Sequence, residues 1–146
     1  AFAEKAKTIY GYDHFLNDAS GSFCEIDDQS VIESIALNTL MVYIKTSPED
    51  EAFLIERAAR HPKPLYYREE FLDEQLNSYY LEHNIEYTAQ IDPSDFVRWV
   101  FPHLFATRLP RYESLASDYG YCISAKDAFE VRNADEFLTL IGDALD

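Results

Sequence analysis

Four basic side chains lie within twelve residues of a chain that is otherwise poor in cations: Arg57, Arg60, Lys63 and Arg68. Transfer of a phosphoryl group requires positive charge around the migrating group. A helix end that leads into a mobile loop can lay such charges over a nucleotide and then withdraw them. The segment is therefore a candidate lid over ATP.

The same segment has a simpler interpretation. Acidic residues precede or accompany the cations at helical spacing, namely Glu49, Glu51 and Glu56. Pairs of opposite charge three or four residues apart are common on solvated helix faces. Charge alone leaves both interpretations open.

A second pattern follows about fifty residues later. Residues 108–116 read Arg-Leu-Pro-Arg-Tyr-Glu-Ser-Leu-Ala and precede a short apolar run and an amphipathic segment. This order resembles the shikimate kinase family, in which an arginine-bearing lid is followed by R-x-P-x-Y-x-x-x-A before the last strand and helix. The resemblance covers about residues 15–65 and 108–146.

The resemblance implies a reaction and places residues in it. The activity would be transfer of the γ-phosphoryl group of ATP, with Mg²⁺, to a small and anionic acceptor. Lys63 and Arg60 would steady the transferring charge as catalytic residues, and Arg57 would lie beside the nucleotide. Arg108 would hold the acceptor.

A polar segment at residues 17–22, Asn-Asp-Ala-Ser-Gly-Ser, occupies the place where these kinases carry a glycine-bearing loop near the acceptor. By resemblance, Asp18 would assist the acceptor or the metal as a catalytic residue, and Ser20 and Gly21 would contact the substrate. Residues of these types also suit an ordinary turn.

The sequence departs from the family in three ways. Lys63 stands in place of an arginine, Ser-Gly-Ser replaces a glycine-rich triplet, and residues 64–108 are longer than usual by one or two helices. In addition, the chain has only four glycines, so G-x-x-x-x-G-K followed by Ser or Thr occurs nowhere in it. The phosphate loop would then lie upstream, and the start at Ala1 without Met suggests a fragment.

The elements that would position these residues are read from periodicity and capping patterns. An apolar run at 14–16 predicts a strand before the polar loop, and the continuous apolar run at 39–45 predicts a central strand. Ser47-Pro48 predicts the start of a helix through Ala59. Further helices are predicted at 30–36, at 68–82, from Asp92 with a break near Pro102, at 108–118 and from Asn133, with a last strand at 119–124.

Strands that alternate with helices predict an α/β fold of three layers, with a mainly parallel sheet flanked by helices, like that of the P-loop kinases. The chain would be one domain, 1–146, or the carboxyl-terminal portion of one. Residues 66–107 would be a helical insertion.

Composition limits the partners. A net charge of −15 repels nucleic acids and anionic membranes, and no long apolar run or signal segment is found. Two distant cysteines and four scattered histidines predict neither a disulfide framework nor a metal site, so a cytoplasmic setting is expected. A non-catalytic protein-interaction module is the alternative function, and the insertion could also form a homodimer surface.

Overall fold

The computed structural model describes residues 2–145, and the side chains of residues 4–144. Ala1, the suggested fragment boundary, lies outside the described residues. Seven α-helices are described: α1 Phe2–Tyr10, α2 Gln29–Asn38, α3 Pro48–Arg60, α4 Glu69–His83, α5 Pro93–Tyr119, α6 Ala125–Glu130 and α7 Ala134–Leu145. Two strands, β1 Met41–Lys45 and β2 Gly120–Ser124, and two 3-10 turns, Phe23–Glu25 and Thr88–Gln90, complete them.

The predicted three-layer architecture is wrong. Helices account for 67% of the chain, and the described residues contain one sheet of two strands rather than a broad parallel sheet. β1 and β2 pair in parallel, with Met41 opposite Gly120 and Lys45 opposite Ser124. The fold is thus mostly helical, with a small sheet between its helices.

The strand predicted at 14–16 is also absent. Residues 14–19 have no regular structure, and Leu16 is 78% exposed. A run with only two apolar side chains gains too little burial to fix a strand when none of the described strands pairs with it. The polar segment that follows is therefore not positioned by a strand end.

The starts of α3 and α5 agree with the predicted capping patterns, and the start of α2 differs. Ser47 and Asp50 form a reciprocal capping box at the start of α3, with Ser47 Oγ accepting from Asp50 N at 3.2 Å. Asp92 caps α5 through its side chain alone, which accepts from Ser94 N at 2.8 Å. At α2 the cap is Asp28, two residues before the predicted serine.

The predicted break near Pro102 is wrong, because α5 runs for 27 residues through both Pro102 and Pro110. Each proline removes one backbone hydrogen bond from the helix. Burial offsets that loss: Val100 is fully buried and Leu104 is 2% exposed. Tertiary packing therefore overrides the local signal.

The main hydrophobic core lies between α4 and α5. Tyr79, Phe96 and Val100 form its buried centre, with the rings of Tyr79 and Phe96 edge to face at 5.2 Å. Trp99 packs at its margin and donates from Nε1 to Glu82 Oε2 at 3.0 Å. These contacts fix the two longest helices against each other.

The sheet is held to the rest of the chain by α5 and α7. α5 packs on both strands and α7 packs on β2. The ring of Tyr43 on β1 stacks on that of Tyr112 on α5, with centroids 5.5 Å apart. None of the described helices combines the length and the apolar character that crossing a membrane requires.

Candidate functional site

A buried carboxylate between two arginines is the most elaborate polar arrangement among the described residues. The Glu25 side chain is only 4% exposed. Arg108 Nε donates to its Oε1 at 2.8 Å, and Arg111 Nη1 donates to its Oε2 at 2.6 Å. Both oxygens are thus held by charge-assisted hydrogen bonds, which are the strong ones in a protein interior.

Two different parts of the chain build this site. Arg108 and Arg111 are three residues apart on α5 and therefore project from the same helix face. Glu25 ends a 3-10 turn that directly follows the polar segment at 17–22. The buried ion pairs therefore fasten the turn to the middle of α5.

The polar segment itself contacts the same part of α5. The Tyr112 hydroxyl donates to the Gly21 carbonyl oxygen. A Cβ placed on Gly21 would lie 3.3 Å from Arg108 Nη1, so the absence of a side chain keeps this approach open. We call Gly21, Cys24, Glu25, Arg108, Arg111 and Tyr112 the Glu25 cluster.

Burial governs the titration of the remaining groups in the Glu25 cluster. It raises the pKa of the Tyr112 phenol, and it raises the pKa of the Cys24 thiol against the opposing effect of Tyr112 and the arginines. Cys24 therefore stays protonated at neutral pH and is a poor nucleophile. This geometry therefore does not favour thiol chemistry at Cys24.

A third connection joins the Glu25 cluster to the loop after α3. Arg108 Nη2 donates to the Tyr66 carbonyl oxygen at 2.9 Å, and Arg68 forms an ion pair with Asp27. The loop that carries Lys63 is thereby attached at its far end to the same face of α5. Its near end is attached by Arg98 Nε, which donates to the Ala59 carbonyl oxygen at 3.0 Å.

The predicted substrate-binding residues meet only in part. Gly21 and Arg108 come together, although they are distant in sequence. Ser20 precedes Gly21 in a left-handed backbone conformation with φ of 65°, which is uncommon outside glycine, and its side chain is exposed. Asp18 is exposed, and its Oδ1 accepts from Ser20 N at 2.9 Å, as in an ordinary turn.

The predicted lid residues are exposed and lie on or after the last turn of α3. Arg60 pairs with Glu56, so the simple interpretation as a helix-surface ion pair applies to this residue. Arg57 and Lys63 have no ion-pair partner within the described part of the chain. Within the described residues, no hydrogen bond or ion pair joins any of these three side chains to the Glu25 cluster.

Sequence reasoning missed Glu25, Arg111 and Tyr112 as site residues. A signal was present in the sequence: Glu25 is an acid within the apolar run Phe23-Cys24-Glu25-Ile26. A buried acid requires a cation, because an unpaired charge is very costly in the interior. Arg111 at helical spacing from Arg108 could have supplied the second partner.

Chemically, the Glu25 cluster can bind an oxyanion but has few other options. Its two guanidinium groups outnumber its one carboxylate, which leaves a local positive charge in a chain of net charge −15. Glu25 is engaged through both oxygens with the two guanidinium groups. In the part of the chain that the structure describes, no group of three or more metal-ligating side chains is present.

Comparison with protein-family models, with curated proteins and with solved structures finds no match for this chain.

Proposed function

We propose that these 146 residues supply the acceptor-binding part of an ATP-dependent small-molecule phosphotransferase. The observation that carries the proposal is the contact of Gly21 with Arg108 and Tyr112. Sequence reasoning assigned Gly21 and Arg108 separately to the acceptor, from two segments far apart in the chain. Their meeting on one face of α5 is what a shared binding site requires.

In this proposal Arg108 binds the negative charge of the acceptor, and the bare backbone of Gly21 gives the acceptor room to approach. Lys63 and Arg60 stabilise the transferring phosphoryl group, and Arg57 contacts the nucleotide. Hydrogen bonds from α5 to the Ala59 and Tyr66 carbonyl oxygens hold the ends of the segment that carries Lys63, and this supports a position of Lys63 on the acceptor side. Asp18, beside Gly21, orients the acceptor.

The 146 residues alone do not fit ATP and Mg²⁺. They contain no glycine-rich phosphate loop with its lysine and its metal-binding Ser or Thr. The nucleotide phosphates and the metal would therefore be held by polypeptide outside these residues. We accordingly expect this chain by itself to be inactive.

The test starts with the natural coding sequence on both sides of these residues. The proposal expects G-x-x-x-x-G-K followed by Ser or Thr in the same reading frame, directly after an apolar run. In the protein that contains both parts, Lys63→Ala should lower kcat by about tenfold or more, because positive charge over the transition state is lost. Lys126→Ala, on the short helix α6, is the matched control and should leave kcat unchanged.

Two results would contradict this function. An uninterrupted coding sequence with no phosphate loop would remove the source of the nucleotide site. An unchanged kcat in Lys63→Ala would remove the catalytic role of the lid.

A non-catalytic protein-interaction module is the second candidate, and the exposed area favours it. The accessible surface is 10582 Å², whereas a compact monomer of 16.9 kDa is expected to expose about 7,700 Å². The excess is comparable with the area that a large, permanent interface buries. An open reading frame without a phosphate loop would favour this candidate over the phosphotransferase.

A further inference from the structure

The Glu25 cluster holds more hydrogen-bond donors than acceptors. Glu25 accepts from Arg108 Nε and Arg111 Nη1, and the Tyr66 carbonyl accepts from Arg108 Nη2. Arg108 Nη1 is left without a hydrogen-bond partner among the described residues, although its side chain is only 11% exposed. Arg111 uses one of its three nitrogens, and its side chain is 36% exposed.

A buried phenol, that of Tyr67, follows the residue whose carbonyl oxygen accepts from Arg108 Nη2, and it is also unpaired. Tyr67 Oη is buried and has no hydrogen-bond partner in the part of the chain that the structure describes. Burial raises the pKa of Tyr67, and the nearby positive charge of Arg108 opposes that rise. The phenol is therefore a neutral donor at physiological pH, and buried polar groups in native proteins are usually paired.

We propose that Arg111 and Tyr67 join Arg108 in binding a small oxyanion, a carboxylate or a phosphate group, and that Glu25 is the positioning residue that fixes both guanidinium groups. Each unpaired group can donate a hydrogen bond, so a ligand rich in acceptor oxygens suits them. The planar guanidinium fork matches the geometry of both oxyanions. The identification of this oxyanion as part of the acceptor rests on the proposed function.

Glu25 contributes to this site through geometry. By accepting at Arg108 Nε and Arg111 Nη1, it orients two long side chains that would otherwise be free to rotate. Pre-orientation lowers the entropy lost when a ligand binds. It also occupies only one nitrogen of each arginine, which leaves Arg108 Nη1 and the other nitrogens of Arg111 for the ligand.

The experiment uses the chain as it stands and requires no ATP. ¹⁵N-labelled protein is titrated at pH 7 with malonate and separately with inorganic phosphate, against sodium chloride of equal ionic strength. The expected result is saturable shifts of the Arg108 and Arg111 Nε–H resonances with at least one of the two oxyanions. The tighter of the two identifies the group that the site takes. Absence of saturable shifts with both would overturn the proposal.

Single substitutions distinguish a loss of oxyanion binding from a loss of folded structure. Arg111→Lys keeps the charge and loses the fork, so affinity should fall by about tenfold. Arg132→Lys, in the exposed loop between α6 and α7, is the matched control and should bind like the unmodified chain. Tyr67→Phe removes the unpaired donor; it should fold at least as stably, yet bind the oxyanion several-fold more weakly.

Glu25→Gln tests the positioning role. It should move the free-state Nε–H resonance of Arg108 and weaken oxyanion binding. Tighter binding in this variant would show that Glu25 competes with the ligand, contrary to the proposal. Because this variant could fail to fold, the Tyr67→Phe and Arg111→Lys results decide the proposal independently, and unchanged affinity in both would overturn it.

These outcomes are separable from those for the proposed function. Oxyanion binding without a phosphate loop in the coding sequence would leave the site intact and remove the phosphotransferase. A phosphate loop and an active lid without oxyanion binding would retain the enzyme and place its acceptor elsewhere.

Discussion

At the scale of single residues, the chain concentrates its strongest electrostatic interaction in one buried ion-pair network. Two arginines share the carboxylate of Glu25, and its side chain and that of Arg108 are nearly inaccessible to solvent. Such a network adds little stability compared with well-packed apolar side chains in its place. Removing one of its side chains, however, strongly destabilises the fold. The reason is that the remaining charges stay buried without a partner.

Glu25→Ala should therefore destabilise the chain by about 3–5 kcal/mol, a large part of the 5–15 kcal/mol that a typical domain has. Urea unfolding followed by circular dichroism measures this difference. The control is Glu113→Ala, which breaks the exposed ion pair with Lys45 and should cost about 0–1 kcal/mol. If both variants lost the same free energy of unfolding, the buried network would stabilise the chain no more than the exposed ion pair does.

The residues of the Glu25 cluster also show how much of the site can be predicted from the sequence. Arg108 and Gly21 could be singled out because they belong to recognisable local patterns. Their meeting depends on how the 3-10 turn and α5 pack, which no local pattern encodes. Glu25 was readable as a buried acid, but its two partners follow only from the tertiary arrangement.

At the scale of elements, local signals predicted starts better than ends. Ser47 and Asp92 give the N-termini of α3 and α5 because a cap depends on residues within one turn. The end of α5 could not be read in this way, since burial of Val100 and Leu104 carries the helix past Pro102. The strands at 41–45 and 120–124 were located correctly, but the layers around them were not, because the number of strands in a sheet is a non-local property.

The junction of α5 and β2 gives a prediction at this scale. Gly120 lies opposite Met41, and a Cβ at this position would lie 2.4 Å from the Met41 carbonyl oxygen. Since backbone atoms cannot yield as a flexible side chain can, Gly120→Ala should separate the two strands and cost about 1–3 kcal/mol.

Gly142→Ala supplies the matched control for that change. Gly142 lies within α7, and a Cβ there would meet no atom within 4 Å. Alanine is the better helix former, so this variant should gain about 0.5–1 kcal/mol. Thermal unfolding should thus show opposite shifts for the two substitutions, and a stabilised Gly120→Ala would contradict the close strand approach.

At the scale of the whole molecule, the sheet is more exposed to solvent than the apolar sequence of β1 predicts. β1 has the continuous apolar character of a strand buried on both faces. Ile44 is nevertheless 48% exposed, and Leu40, just before β1, is 51% exposed. A parallel pair of strands also leaves backbone donors and acceptors unpaired at its outer edges, which can template further strand pairing.

Net charge opposes association through this surface, and salt removes that opposition. Two copies of a chain with charge −15 repel each other at low ionic strength, whereas at 1 M salt the screening length falls to about 3 Å. Sedimentation or light scattering should therefore detect mainly monomer in dilute buffer and an increasing dimer fraction as sodium chloride is raised. Ile44→Lys should suppress the salt-induced dimer, and Leu81→Lys, at an exposed apolar position on α4, should not. A dimer that persists in Ile44→Lys would show that the chain associates through a surface other than β1. A chain that stays monomeric at every salt concentration would contradict self-association through β1.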